Sequence, residues 1–390
     1  MDYRDLAAIV IDNGSGLLKA GYAGDDGPRA WIPTVVGEDG QSISEEAQQK
    51  SSTLRYPIQR GIVENWDDLA LLYTHIFTHL LAPSEPESPL EQALFLTASP
   101  VALRTDKAKL LELTFERFLA PAAFVENVAV LPTYASAGMT GVVLLSGDSA
   151  THAVPVHQGV VQQRSVRTLT VAGLDVTRML RDSVNVKLRE VEAAWVKESM
   201  CYVARDSADK LSESAPANEQ EYTLPDGRVV SLGSERFMIP ETLFEPSLAG
   251  ISAPGIHQLI HDAAMSYDLY GARGNNSPFR HPYDLDLERE MTTLVSGGST
   301  VFPGFVDRLE RELRDLAPAG SSVRVQPQKI QQNIQSLQIR VIALAERRKS
   351  DWIGGSILAS LSTFQDKWIT RQEWEEAGPA VMYRTVSSGY

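Results

Sequence analysis

The chain has 390 residues, 43% of them hydrophobic and 22% charged, and 50 acidic residues against 36 Lys and Arg give a formal net charge of −14. This length can bury a large core and predicts two lobes, while the acidic balance argues against non-specific nucleic-acid binding through a basic surface. The single cysteine, Cys201, excludes an intrachain disulfide and fits a reducing compartment. No apolar run reaches the ~18 residues of a membrane span, and the first residues lack the apolar core of a secretory leader. The basic run Glu346-Arg347-Arg348-Lys349 is too short for a nuclear-import cluster, so a cytosolic location is the expectation.

Ile9-Val10-Ile11 runs straight into Asp12-Asn13-Gly14-Ser15-Gly16, a buried strand breaking into a tight turn with Lys19 close behind. Glycines let backbone amides approach an anion, and a hydroxyl and an ammonium stand ready to touch it. Taken alone, the stretch more often makes an ordinary hairpin than a phosphate loop. Gly21 to Arg29 is turn-rich and predicts strand, hairpin and strand, and residues 38–53 are polar, without periodicity, and predict an exposed connection.

Asp67 to Leu81 predicts one amphipathic helix with Leu69, Leu72, Ile76 and Leu80 on one face. Its His75 and His79 have a zinc-compatible spacing, but no third ligand accompanies them. Ala93 to Thr97 predicts a buried strand, and Lys107 to Leu119 a second helix with Leu110, Leu111, Leu113 and Phe118 inward. Val142 to Leu145 then runs into Ser146-Gly147-Asp148-Ser149, repeating the plan of the first turn, and Leu294-Val295-Ser296 breaks into Gly297-Gly298-Ser299 before a predicted helix. The repetition favours a duplicated α/β architecture whose phosphate loops face each other across a cleft.

Gly159 to Gly173 alternates like a strand, Thr177–Leu188 and Val191–Val203 read as helices, and Glu221 to Leu232 is a hairpin about Pro225-Asp226-Gly227. Residues 271–283 and the glutamine-rich 326–338 read as insertions, Trp352 to Leu361 as an apolar helix opened by glycines, and the tail after Met382 as loose.

The stretches DNGSGLLKAGYAGDDGPRA (12–30), YPIQRGIVENWDD (56–68), SGDSATHAVPVHQG (146–159), MCYVA (200–204), LPDGRVV (224–230), LVSGGSTVFPG (294–304) and WIGGSILASLSTFQDKWITRQEWEEAGP (352–379) resemble, in the family's order, those of actin and the actin-related proteins. The resemblance implies an actin-like ATPase fold of two α/β lobes around a nucleotide cleft. It places 1–135 and 350–390 in an outer lobe, with a reduced small subdomain near 33–60, and 136–349 in an inner lobe. It further implies ATP or ADP with Mg²⁺ as the ligand. Gly14, Ser15, Gly16, Leu17 and Lys19 would hold the β- and γ-phosphates, opposed by Gly147, Asp148 and Ser149. Gly173 would join these contacts, and Lys197 and Glu198 would meet ribose and base. Gly297, Gly298, Ser299 and Phe302 would cradle the adenosine under Arg348, and Asp12, with Asp148, would organise the hydrated metal.

The departures from the family matter as much. Leu145 stands where the family has an aspartate, Ser149 replaces a loop glycine, and the water-positioning glutamine falls on Val128. Losing such a group commonly costs about 10²–10⁴-fold, so very slow hydrolysis or none is expected. Asn127 could substitute only if the register slipped by one. The stretch from Gly37 to Tyr56 is about a dozen residues shorter than in conventional actin, which removes much of an inter-subunit loop. That loop's tyrosine receiver is Val160 and the family's phosphate-sensing histidine is Arg60.

Tyr134, Ile357, Leu358 and Leu361 match the family's barbed-end groove, where partner helices dock, although such residues also serve simply to pack the hinge. The insertions could serve dedicated partners or be unselected surface loops. The reading that follows is a divergent actin-related subunit of a larger assembly, associating with other actin-type and complex-specific proteins, without direct nucleic-acid or membrane contact. A filament-forming actin ATPase is the alternative, and a small-molecule kinase on the same fold is disfavoured by the C-terminal block. Closeness to conventional actin leans towards a cytoplasmic, cytoskeletal role, with a nuclear chromatin-remodelling one left open.

Overall fold

The computed structural model describes residues 3–51, 53–81, 88–205, 219–267, 290–316, 322–325 and 338–382. Residues 271–283 and nearly all of 326–338, read as insertions, and the tail after Met382, read as loose, lie outside the described residues. The chain divides into two compact units, the first being 1–139, 158–161 and 349–390, the second 140–157 and 162–348.

In unit 1 the sheet runs Ile369–Thr370, Ala122–Asn127, Leu94–Ala98, Ile9–Asn13, Leu17–Tyr22, Ala30–Pro33. Ile9–Asn13 pairs antiparallel with Leu17–Tyr22 and parallel with Leu94–Ala98, which is itself parallel to Ala122–Asn127. In unit 2, Gly141–Ser146 pairs antiparallel with Thr151–His157 and parallel with Glu290–Ser296, which is parallel to Gln338–Ile342. A third antiparallel strand follows each hairpin, Ala30–Pro33 in one unit and Arg167–Leu169 in the other. The two sheets thus share the order and direction of five strands, differing at the outer edge where Ile369–Thr370 is antiparallel and Ser322–Val325 parallel to its neighbour, and the α/β duplication expected from the repeated turns is what the strands build. All three glycine breaks lie at the carboxyl ends of central strands, where open α/β sheets bind ligands.

Ile9 to Ile11 are buried on both faces because Ile9 and Ile11 pack with Leu69, Leu72, Tyr73 and Ile76, while Val10 packs with Phe95, Leu131 and Trp352. The helix Ser350–Ser360 is held there by Trp352 Nε1, which donates to the Val10 carbonyl at 3.0 Å. A Cβ built on Gly354 runs into the carbonyl of Leu131, and one on Gly355 would sit 3.1 Å from Val10. The glycines that open this helix therefore permit close backbone approach.

Several elements differ from expectation. The polar stretch 38–53 contains the helix Ser44–Lys50, with Ala47 buried. A single buried apolar residue leaves no periodicity to read. The helix from Asp67 is α-helical only over Trp66–His75 and continues as a π-helix over Ile76–Leu81. Leu69, Leu72 and Ile76 stay buried, but the wider turn carries Leu80 off the stripe to 41% exposure. The second helix behaves alike, α-helical over Arg104–Glu112 and π-helical over Leu113–Arg117. The Gly159 to Gly173 stretch forms two short strands, Val160–Val161 and Arg167–Leu169, separated by the 3-10 turn Gln163–Ser165. The next helices are Gly173–Ser183 and Glu190–Met200, earlier than expected because Asp175 caps the Ala172 amide at 2.9 Å and Glu192 caps that of Arg189 at 2.9 Å. His75 and His79 stack with centroids 5.1 Å apart.

Gly354→Ala is expected to destabilise the protein by about 1–3 kcal/mol through forced backbone displacement, seen as a lower midpoint in thermal melting. Acid should act through His152, buried at 5% exposure and paired with Thr168 at 3.0 Å, whose imidazole burial pulls from 6.5 down to about 4. The unfolded chain protonates this group near 6.5 while the native state resists until about 4, so the contribution is complete above that window and is lost as pH falls through it. The full loss is up to about 3 kcal/mol, and His152→Gln should flatten that part of the stability–pH profile.

Candidate functional site

In unit 1 the register opposes Asp12 to Lys19 across an antiparallel pair, which brings the two buried side chains together. Lys19 Nζ donates to Asp12 Oδ2 at 2.6 Å, and the Thr97 hydroxyl donates to Oδ1 at 2.9 Å. Both carboxylate oxygens are therefore fixed, as a buried ion pair requires. A Cβ on Gly14 runs into the Leu17 carbonyl, so the turn needs glycine there. Thr34, just past the strand Ala30–Pro33, pins the turn, its hydroxyl donating to Gly14 O at 2.7 Å and its amide to Gly16 O at 3.0 Å. The amides of Ser15 and Gly16 and the Ser15 hydroxyl have no acceptor among the described residues.

In unit 2 the node is the carbonyl of Gly147, which accepts from the Gly173 amide at 3.1 Å and from the Ser299 hydroxyl at 2.6 Å. The Leu174 amide donates to Asp148 O at 2.7 Å, so the start of the helix Gly173–Ser183 is spent on holding the loop. Side-chain volume at Gly173 would meet Ser299 Oγ at 2.7 Å and Gly147 O at 3.2 Å, and Gly297, at φ +102°, would meet the Ser146 carbonyl. The Asp148 amide has no acceptor among the described residues, and a Cβ on the exposed Gly298 would meet nothing within 4 Å.

Lys197 is buried and donates to Gly173 O at 3.0 Å and Thr177 Oγ1 at 2.8 Å. Burial lowers its ammonium, an effect the charge of Asp148 opposes. Burial raises the half-buried Asp148 carboxyl, opposed by Lys197. Glu198 and Arg348 pair at 3.4 Å on the surface, while Phe302 is buried in the core. The structure thus gathers Gly147, Asp148, Gly173, Lys197, Gly297 and Ser299 in unit 2, and Asp12, Gly14 and Lys19 in unit 1.

Three positions escaped sequence reasoning. Thr34 and Thr97 support the first turn. Arg347 supports the third, its carbonyl accepting from Gly297 N at 3.0 Å and Ser296 Oγ at 3.2 Å, its guanidinium donating to Thr300 O and Leu344 O. The only available signal was its place beside Arg348.

At the positions that depart from the family, Val128 opens the 3-10 turn Val128–Val130, and Leu145 is buried in its strand. The Asn127 side chain accepts from the Ala129 amide at 3.0 Å, which commits it to capping that turn. Among the groove residues, Leu358 belongs to the core, Tyr134 is half-buried against it, and Ile357 and Leu361 are exposed.

The donor chemistry fits an anionic ligand: unclaimed backbone amides on glycine-bearing turns, a hydroxyl, and a fixed carboxylate–ammonium pair. No three His, Cys, Asp or Glu side chains form a metal-binding array among the described residues. A cation that keeps its water shell needs none, since Mg²⁺ is commonly bound through waters, one or two carboxylates and substrate phosphates.

A family model described as Actin matches residues 3–194 and 186–387. An "Actin-like protein" of Neurospora crassa is 36% identical over 400 aligned positions, covering 95% of this chain and 96% of that protein. With its duplicated α/β units and matched glycine turns, the chain belongs to the actin family.

Proposed function

We propose that this protein binds ATP or ADP with Mg²⁺ largely as a structural ligand and serves as a subunit of a larger cytoskeletal assembly, with weak or no hydrolysis. The observation that carries the reading is the contrast between intact phosphate-donor turns and apolar side chains at the hydrolytic positions Val128 and Leu145.

In this reading the amides of Ser15, Gly16 and Asp148, with Lys19, hold phosphate oxygens, and Asp12 orients waters of the metal. Gly173, Lys197, Gly297, Ser299 and Arg347 keep their loops in shape for adenosine, while Arg348 and Glu198 lie at its edge. The cation supplies charge neutralisation for the phosphates. Neither Val128 nor Leu145 can hydrogen-bond a water, and Asn127 is engaged in its cap. Nucleotide bound to the folded state alone stabilises it by mass action. The exposed Ile357 and Leu361 suit docking by partner helices of other actin-type or complex-specific subunits.

High-speed pelleting of the purified protein with Mg-ATP, with phosphate release followed in the same tubes, tests this. The expected result is protein in the supernatant and no phosphate released; pelleting coupled to phosphate release would establish the filament-forming ATPase instead. Val128→Gln should raise single-turnover phosphate release at least tenfold, with the about 10²–10⁴-fold that a positioned water-handling group supplies as the full effect.

A further inference from the structure

Tyr73 lies on the helix Trp66–His75 and is fully buried, packed against Phe77 and Phe118 at centroid distances of 6.1 and 6.0 Å. Phenylalanine would serve that packing, yet the phenol is there, and its hydroxyl donates to Asn13 Oδ1 at 2.7 Å. A buried hydroxyl needs a partner, and this one fixes the Asn13 amide so that Nδ2 faces the carbonyl of Thr97 at 2.9 Å. The Asn13 backbone amide donates to Thr97 Oγ1 at 2.8 Å. A threonine hydroxyl has one proton. With Asn13 N–H occupying its acceptor side, that proton is directed to Asp12 Oδ1, 2.9 Å away. Lys19 takes Oδ2 at 2.6 Å, so the plane of the Asp12 carboxylate is set from both sides.

We infer that Thr97 is a positioning residue for the cation, acting through Asp12, and that Tyr73 supports it through Asn13. The inference rests on the nucleotide-binding reading. Thr97 touches no phosphate in this scheme; it fixes the orientation in which Asp12 presents its remaining lone pairs to a hydrated Mg²⁺. Tyr73 stays a donor throughout, because burial raises its phenol well above the ordinary range.

The experiment measures release of a fluorescent ATP analogue from the full chain as a function of Mg²⁺ concentration, with a parallel titration in EDTA. Thr97→Val keeps the shape and removes the hydroxyl, Thr97→Ser keeps the hydroxyl, and Tyr73→Phe removes only the phenol. Hydrogen bonds to charged groups contribute enough to expect Thr97→Val to shift the half-saturating Mg²⁺ concentration upward about tenfold or more. Affinity in EDTA should change far less than the Mg²⁺ midpoint, Thr97→Ser should restore the wild-type midpoint, and Tyr73→Phe should shift it the same way by less. A wild-type midpoint in Thr97→Val, or equal weakening with and without Mg²⁺, would overturn the inference while leaving nucleotide binding intact. A Thr97→Val protein that fails to fold passes the decision to Tyr73→Phe, whose unchanged midpoint would overturn it. A wild-type chain that binds no analogue under either condition overturns the nucleotide reading itself, and the inference with it.

Discussion

Burying Asp12 and Lys19 side by side is the constraint from which unit 1 is best understood. Two charges withdrawn from water are tolerated only where geometry and extra hydrogen bonds compensate. The strand register supplies the geometry by placing the residues directly opposite, and Thr97 supplies the extra bond from the neighbouring parallel strand. A one-residue slip of either pairing would put one partner on the other face of the sheet. The polar pair therefore specifies register in a sheet whose apolar residues, buried on both faces at Ile9 to Ile11, specify it poorly.

Unit 2 holds its strand–turn junction chiefly through the backbone. There a single backbone oxygen, that of Gly147, ties together the helix start at Gly173 and the turn at Ser299. Lys197 reaches the same assembly from behind through Gly173 O and Thr177. The two duplicated halves have thus kept strand order while diverging in how the turn is held: side-chain charge in one, backbone carbonyls and small residues in the other.

One apolar run ending in Gly-Ser or Ser-Gly reads as a hairpin, but three strand-to-glycine breaks in one chain restrict the architecture, which made them legible. The partners of those turns were not. Thr34, Thr97 and Arg347 act on oxygens or amides contributed from other strands and loops, so nothing in their own neighbourhoods announces the contact. The π-helical ends after His75 and Glu112 escaped for a different reason. In the first, Leu72 and Ile76 are each followed by apolar residues at both i+4 and i+5, so either winding buries something; in the second, the ring contact of Phe115 with Trp374 comes from an element distant in sequence. The helix Ser44–Lys50 offered one apolar residue, Ala47, too little for periodicity to act on.

The discontinuity of unit 1 has a consequence for biosynthesis. The carbonyl of Val10 receives its partner from Trp352, 342 residues later, whereas unit 2 is complete apart from a four-residue excursion by Arg348. At ribosomal speeds of about 5–20 residues per second, roughly 20 to 70 s separate emergence of that first strand from emergence of the helix that covers it. Unit 2 can collapse during this interval, but the face of the nascent sheet bearing Val10 and Phe95 stays without its cover. The folding of unit 1 is thus gated by the arrival of residues 349–390, and until then the uncovered face of the nascent sheet is exposed to aggregation.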